Sequence, residues 1–307
     1  MREGTAKTSR PRRLTRLIAM CCVALSLTGL LPRTALAAIP KTQAGKTGVT
    51  VHKNDKASID ASNLSEGYVI IRYTGGRDVK IKAQVTKAGG SSYTYDINPK
   101  GNAEVIPLTE DDGRYTIGVF ENISGTRYAQ AYSVSVDVKL RDALLPFLYP
   151  NQYVNFTEKS AVATKAAELA KDAKDQLAIL ENVYFFVVRN LTYDTALATS
   201  VQPGYLPNLD KVLESKKGIC FDYASLMSAM LRLRGIPSKL VIGYAGTVYH
   251  AWINVFIEDI GWIDKAIYFD GENWSLMDPT FVSTSNSSNA VKQFIGEGNN
   301  YSQRFVY

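Results

Sequence analysis

With 307 residues, 46% of them apolar and 21% charged, the chain has the profile of a globular protein long enough for two domains. Its 22 glycines and 11 prolines exclude a collagen-like or low-complexity chain. The formal net charge of +6 would favour an anionic partner, but its distribution along the chain removes that reading.

Arg2, Lys7, Arg10, Arg12, Arg13 and Arg16 precede an apolar run from Leu17 to Leu31, and Ala35-Leu36-Ala37 stands just before Ala38. A basic segment, an apolar segment and a small-x-small site predict a secretory signal peptide over residues 1–37, cut after Ala37. The run falls short of the roughly 20 residues that a bilayer span needs. Cys21 and Cys22 lie within it rather than just after it, so neither a stable membrane anchor nor a lipoprotein anchor is expected. This leader holds seven of the 35 basic and one of the 29 acidic residues, which leaves 28 of each and a net charge of zero. No electrostatic case for DNA, RNA or an anionic membrane remains. Two of the three cysteines also leave with it. Cys220 is then a lone thiol in an exported protein, expected in the extracellular medium or at the cell surface.

Residues 38–48 are a polar lead-in. From Val49 to Leu140 the apolar residues alternate with polar ones, as in Val79, Ile81, Ala83 and Val85, in Tyr115, Ile117 and Val119, and in Tyr132, Val134, Val136 and Val138. Turn clusters such as Gly89-Gly90-Ser91-Ser92 and Asp111-Asp112-Gly113 separate the runs. Short alternating strands at this spacing predict an antiparallel, Ig-like β-sandwich over residues 49–145. After Pro146 and Pro150 the period changes to that of helices. One helix is expected over Ser160–Lys171. A second carries Leu177, Leu180, Tyr184, Val188 and Leu191 on one face, with Asp172 or Asp175 as its cap. Gly204–Pro207 reads as a loop. A third helix runs from Cys220 to Arg234, stopped by Gly235-Ile236-Pro237. Strands follow over Lys239–Tyr244, His250–Ile257, Trp262–Phe269 and Trp274–Met277, the last two joined by a turn at Asp270–Asn273. The fold class is α+β, with the second domain over residues 146–307.

Cys220 opens a helix, which sets its sulfur beside unpaired backbone N–H groups at the positive end of the helix dipole and favours the thiolate. The same N–H groups could receive an oxyanion. A buried core cysteine is the plainer reading, and it gains neither effect. A thiolate nucleophile needs a base, usually histidine. The chain has two: His52 in the first strand of the sandwich, and His250 in the same domain as Cys220. His250 is the partner. The imidazole needs an acceptor behind it, for which Asp278 is the first candidate and Asp264 its rival.

Gly218-Ile219-Cys220-Phe221-Asp222-Tyr223-Ala224, Leu231-Arg232-x-Arg234-Gly235-Ile236-Pro237, His250-Ala251-Trp252 and Asp278-Pro279-Thr280, in that order, resemble the transglutaminase-like superfamily. The resemblance covers roughly residues 150–285. It implies a papain-like α+β core with a Cys–His–Asp triad of Cys220, His250 and Asp278 and with no cofactor. The interval from His250 to Asp278 is long for the family, which keeps Asp264 open. Candidates for oxyanion or cleft roles are Phe221, Tyr205, Gln202 and Trp252. The acidic residues Glu258, Asp259, Asp264, Asp270 and Glu272 lack a calcium-loop pattern, and one cysteine with two distant histidines makes no zinc site.

The expectation is a secreted cysteine enzyme that acts on protein or cell-wall peptide amides through a thioester and hydrolyses them. The preference for water rests on the short tail after residue 285 and the lack of a calcium switch. An amine-transferring cross-linker and a non-catalytic surface module are the alternatives. The sandwich has no ligand that its sequence identifies.

Overall fold

The computed structural model describes residues 47–264, 267–269, 274–276 and 301–307. The expected leader at 1–37, the turn at 270–273 and Asp278 lie outside the described residues.

Two four-stranded antiparallel sheets form the N-terminal half. The first has the order β1 (Val51–Lys53), β2 (Ala57–Asp60), β3 (Tyr68–Tyr73), β6 (Glu104–Pro107). The second has the order β5 (Ser92–Ile97), β4 (Ile81–Lys87), β7 (Gly113–Ser124), β8 (Arg127–Val138). Alternation does here what period two requires: Ile59, Val69 and Ile71 from one sheet meet Ile81, Ala83, Val85, Ile117 and Val119 from the other in one core. β3 departs from alternation because its outer face is also covered. Tyr68 and Ile70 pack under Leu145 and Tyr149 of the segment that leaves the sandwich. His52 lies half-buried on β1, at the edge of its sheet.

The second half begins with α1 (Ala161–Ala170) and α2 (Gln176–Asn190), then β9 (Thr192–Tyr193), α3 (Thr195–Ser200), α4 (Leu209–Ser215) and β10 (Lys217–Gly218). Asp175 is the cap of α2, accepting from the Ala178 N–H at 2.8 Å. Helix α5 (Cys220–Arg232) is buried at every position from Asp222 to Arg232, the mark of a central helix surrounded by packing partners. It ends where Gly235, at φ 73°, turns the chain toward Ile236. α5 lies on the antiparallel sheet β13 (Gly261–Ile263), β12 (Val248–Ile257), β11 (Ser238–Ala245), β16 (Tyr301–Val306), written in spatial order. β14 (Ile267–Phe269) and β15 (Trp274–Leu276) form a separate pair and complete the strands among the described residues.

Three features differ from the sequence reading. The strand expected over Trp262–Phe269 is broken, because β13 pairs with β12 and β14 with β15. α3 and α4 occupy stretches with too few residues to show a helical period. The terminal segment is a strand rather than a tail, and it carries a register shift opposite Ile242 and Gly243. Arg304 is the extra residue of that bulge, and Tyr301 and Val306 consequently face the same cluster with Val241 and Trp252.

The core is continuous across both halves. Tyr307 sits between Tyr93 (5.6 Å between ring centroids) and Tyr95 (5.9 Å) of the sandwich and Tyr153 (4.4 Å) of the following segment. Thr109 Oγ1 also donates to the Val306 carbonyl at 2.8 Å.

Candidate active site

The approach to Cys220 is built from short elements. β10 pairs in parallel with β9, and the Asp194 N–H donates to the Gly218 carbonyl at 2.9 Å. Ile219 is extended (φ −96°, ψ 177°) and caps α5 without a side-chain acceptor, so Cys220 is the first helical residue. Its side chain is half-buried and is a free thiol. The Ile219 N–H itself finds its acceptor one turn on. Asp222 Oδ2 accepts from the Ile219 N–H at 2.8 Å, and Oδ1 accepts from the Tyr205 hydroxyl at 2.7 Å. Asp222 is fully buried. Burial pushes its carboxyl pKa up, the hydrogen bonds from Ile219 and Tyr205 oppose that, and Asp194 adds to it. Gly218 leaves the space this needs: a Cβ there would stand 2.6 Å from Asp222 Cβ.

His250 is the third residue of β12, is buried, and pairs with Gly243 of β11. Its ring lies near parallel to Trp252 (6.4 Å between centroids, 24°) and 6.3 Å from Tyr301. Tyr301 in turn meets Trp252 edge-on at 5.1 Å. Gly243 is the point of close approach. A Cβ there would come within 2.0 Å of the Ser302 carbonyl oxygen and 2.8 Å of Trp252 Cη2. Because α5 packs on β11 and β12, the helix that begins with Cys220 and the strand that carries His250 are direct neighbours. Tyr249, more than half exposed, lies within electrostatic reach of both Cys220 and the bulged Arg304. Burial raises its hydroxyl pKa; the Arg304 cation opposes that, and Tyr244 and Cys220 add to it.

The other expected residues fall as follows. Phe221 is half-buried, with its ring 5.7 Å from Tyr153 and 6.4 Å from Tyr205. The Tyr205 hydroxyl donates to Asp222 Oδ1 at 2.7 Å. Gln202 is exposed and its Nε2 donates to the nearby Ser200 carbonyl at 2.9 Å. Trp252 belongs to a core cluster with Val241, Ala245 and Tyr301 and is 3% exposed. Asp264 is exposed beside Lys239, whose ammonium also lies 3.9 Å over the Trp262 ring. The pairing of Ile263 with Val255 puts Asp264 level with Asn254. That is four residues along β12 from His250, or roughly 13 Å at about 3.3 Å per residue. Asp264 is not brought to the imidazole. Asp278 lies outside the described residues. Among the described residues, no three His, Cys, Asp or Glu side chains gather as a metal-ligand set.

Asp222, Tyr249 and Arg304 were not singled out from sequence. For Asp222 a signal existed: an acid at the third helical position behind an N-cap that cannot accept a hydrogen bond.

Residues 163–279 match the transglutaminase-like superfamily. The uncharacterized protein YebA of Bacillus subtilis is 25% identical over 193 residues, 53% of this chain and 25% of that protein. Human kyphoscoliosis peptidase is 26% identical over 151 residues, 49% of this chain and 22% of its own. The chain thus spans a quarter or less of the length of these two relatives. Among solved structures, a candidate cysteine protease from Cytophaga hutchinsonii aligns with 85% of this chain and 74% of its own, at 14% identity and a TM-score of 0.40.

Proposed function

We propose that this chain, which carries a transglutaminase-like domain over residues 163–279, is a secreted cysteine hydrolase of protein or peptide amide bonds. The observation that carries the reading is the meeting of α5 and β12: a half-exposed thiol begins the buried helix, and the neighbouring strand holds His250. In this reading the Cys220 sulfur attacks a carboxamide or peptide carbonyl. His250 takes the thiol proton and passes it to the leaving amine, so that ammonia or a new amino terminus departs. The backbone N–H groups at the start of α5 receive the oxyanion. Asp278 holds the imidazole in the useful tautomer. Water, activated by His250, attacks the thioester carbonyl; the acid is released and the thiol returns.

Two observations favour water as the acceptor. Cys220 is partly exposed to solvent, and the human relative is named as a peptidase. Residues 1–37 would direct export and leave Ala38 as the first residue of the working protein, with protein or cell-wall peptide as its substrate.

The test is to incubate the protein with a glutamine-rich donor protein and a dansylated amine, and to follow ammonia, new amino termini and fluorescent label together. Ammonia or new termini should form with little label, and Cys220→Ala and His250→Ala should abolish both. Stoichiometric incorporation of the amine would make the protein a cross-linking transferase. A wild type as inert as Cys220→Ala would leave a binding module.

A further inference from the structure

We propose that Asp222, locked by Tyr205, is a positioning residue that sets where α5 begins and so where the Cys220 sulfur is presented. The inference rests on the reading of Cys220 as the nucleophile.

The need for such a device follows from how α5 is held. From Asp222 to Leu231 the helix is buried in a largely apolar core, and its directional anchor, Arg232, stands at the far end, ten residues from Asp222. Apolar contacts are strong in sum but weakly directional, and they tolerate small slips along the helix axis. A nucleophile does not tolerate them: a misplacement of about 1 Å can cost on the order of a hundredfold in rate. Directional bonds at the first turn supply the restraint at the near end, where the thiol stands. The Ile219 N–H is held at 2.8 Å by Asp222 Oδ2, and the carboxyl is itself held at 2.7 Å by Tyr205 from the loop before α4. On the other side, the Asp194 N–H grips the Gly218 carbonyl. The turn Gly218-Ile219-Cys220 is therefore clamped at the residue pair just ahead of the thiol.

Helix capping alone does not account for the arrangement. A serine or threonine at position 219 would accept from the N–H of residue 221 or 222 and would leave the N–H of residue 219 untouched. Here the N-cap is isoleucine, and the acceptor is a fully buried carboxyl whose pKa is pushed up by that burial. Its fit also demands glycine at 218 and a tyrosine hydroxyl at 205. Tyr205 and Gly218, from separate elements, thus fit one carboxyl to one backbone N–H, and that N–H precedes the only cysteine outside residues 1–37.

The experiment measures two things on each variant: the rate at which iodoacetamide alkylates native Cys220, and ammonia release from casein resolved into kcat and KM. Asp222→Ala and Gly218→Ala should each slow alkylation and lower kcat by about tenfold or more, with KM little changed. Loss of charge alone would do the reverse to alkylation, since removing a nearby carboxylate favours the thiolate. A fall is therefore the signature of lost position. Asp222→Asn should recover most of both rates, because its oxygen still accepts from Ile219 and its amide can donate to the Tyr205 oxygen. Tyr205→Phe should fall between, and should add nothing to Asp222→Ala.

Alkylation of Asp222→Ala at the wild-type rate would overturn the proposal. So would Asp222→Asn as impaired as Asp222→Ala, which would make the carboxylate charge the active element. If Asp222→Ala does not fold, the pair Asp222→Asn and Tyr205→Phe decides by the same criteria. Alkylation needs no turnover. A wild type that releases no ammonia therefore sinks the hydrolase reading while the alkylation series still judges Asp222.

Discussion

Replacing Arg232 should cost the protein several kcal/mol, and lysine should not rescue it. Arg232 is completely buried and has carbonyl groups as its hydrogen-bond acceptors. Nε and Nη2 donate to Ser238 (3.1 and 2.7 Å), Nη1 to Tyr149 (2.8 Å), and Nη2 also to Tyr307 (2.7 Å). Burial pushes its pKa down to about 9, which leaves it charged at neutral pH. In Arg232→Met the Tyr307 carbonyl keeps its bond from the Leu240 N–H, but the Ser238 and Tyr149 carbonyls lose a buried donor. At about 1–3 kcal/mol for each orphaned group, the loss is roughly 2–6 kcal/mol, reduced by the relief of no longer burying a cation. Lysine keeps that burial cost and cannot fork to three carbonyls, so Arg232→Lys should be no more stable than Arg232→Met. Urea unfolding followed by tryptophan fluorescence measures both. A methionine variant as stable as wild type, or a lysine variant that recovers more than half of the loss, would refute this account.

Asp278→Asn should lower turnover by about a hundredfold or more with the fold intact, whereas Asp264→Asn, exposed beside Lys239, should stay within about twofold; steady-state ammonia release compares them. Asp222→Asn should be more stable than wild type at neutral pH. Because the folded carboxyl has its pKa raised, wild type loses stability as pH climbs from the ordinary value of about 3.9 through the folded one. The advantage of asparagine should therefore grow over that window, hold above it, and vanish in thermal melts taken below it. Gly243→Ala should cost about 1–3 kcal/mol, since the new methyl meets the Ser302 carbonyl and Trp252, and it should speed hydrogen exchange in β16.

What could be read from the chain follows from which signals are local. The sandwich strands were legible because alternation survives wherever only one face is buried, as in β4 and β5. α5 was legible from its two ends, Cys220 after a glycine turn and Gly235 before Pro237. α3 and α4, with six and seven residues, are shorter than two turns; only their caps, Asp194 and Asn208, mark them. Cys220 and His250 stood out as residue types. Asp222 did not, because an acid in the first turn of a helix ordinarily answers the dipole on a solvated surface. Its burial is decided by Gly218 and Tyr205, and no pattern in the neighbouring residues announces that meeting.

The bulge at Arg304 is also a parity device. Side chains on one face of a regular strand are an even number of positions apart, yet Tyr301 and Val306, five apart, share a face. The extra residue absorbs the odd step. Removing Arg304 would restore regular pairing and leave Tyr301 opposite Ala245, four positions from Val306 and still on the face of Trp252. Inserting a second residue there would add a step that the bulge does not absorb, turning Tyr301 outward from beneath His250 and Trp252. An insertion in this strand should accordingly be absorbed far less readily than a substitution or the loss of Arg304, so the counting of residues here, rather than their identity alone, maintains the floor under the imidazole.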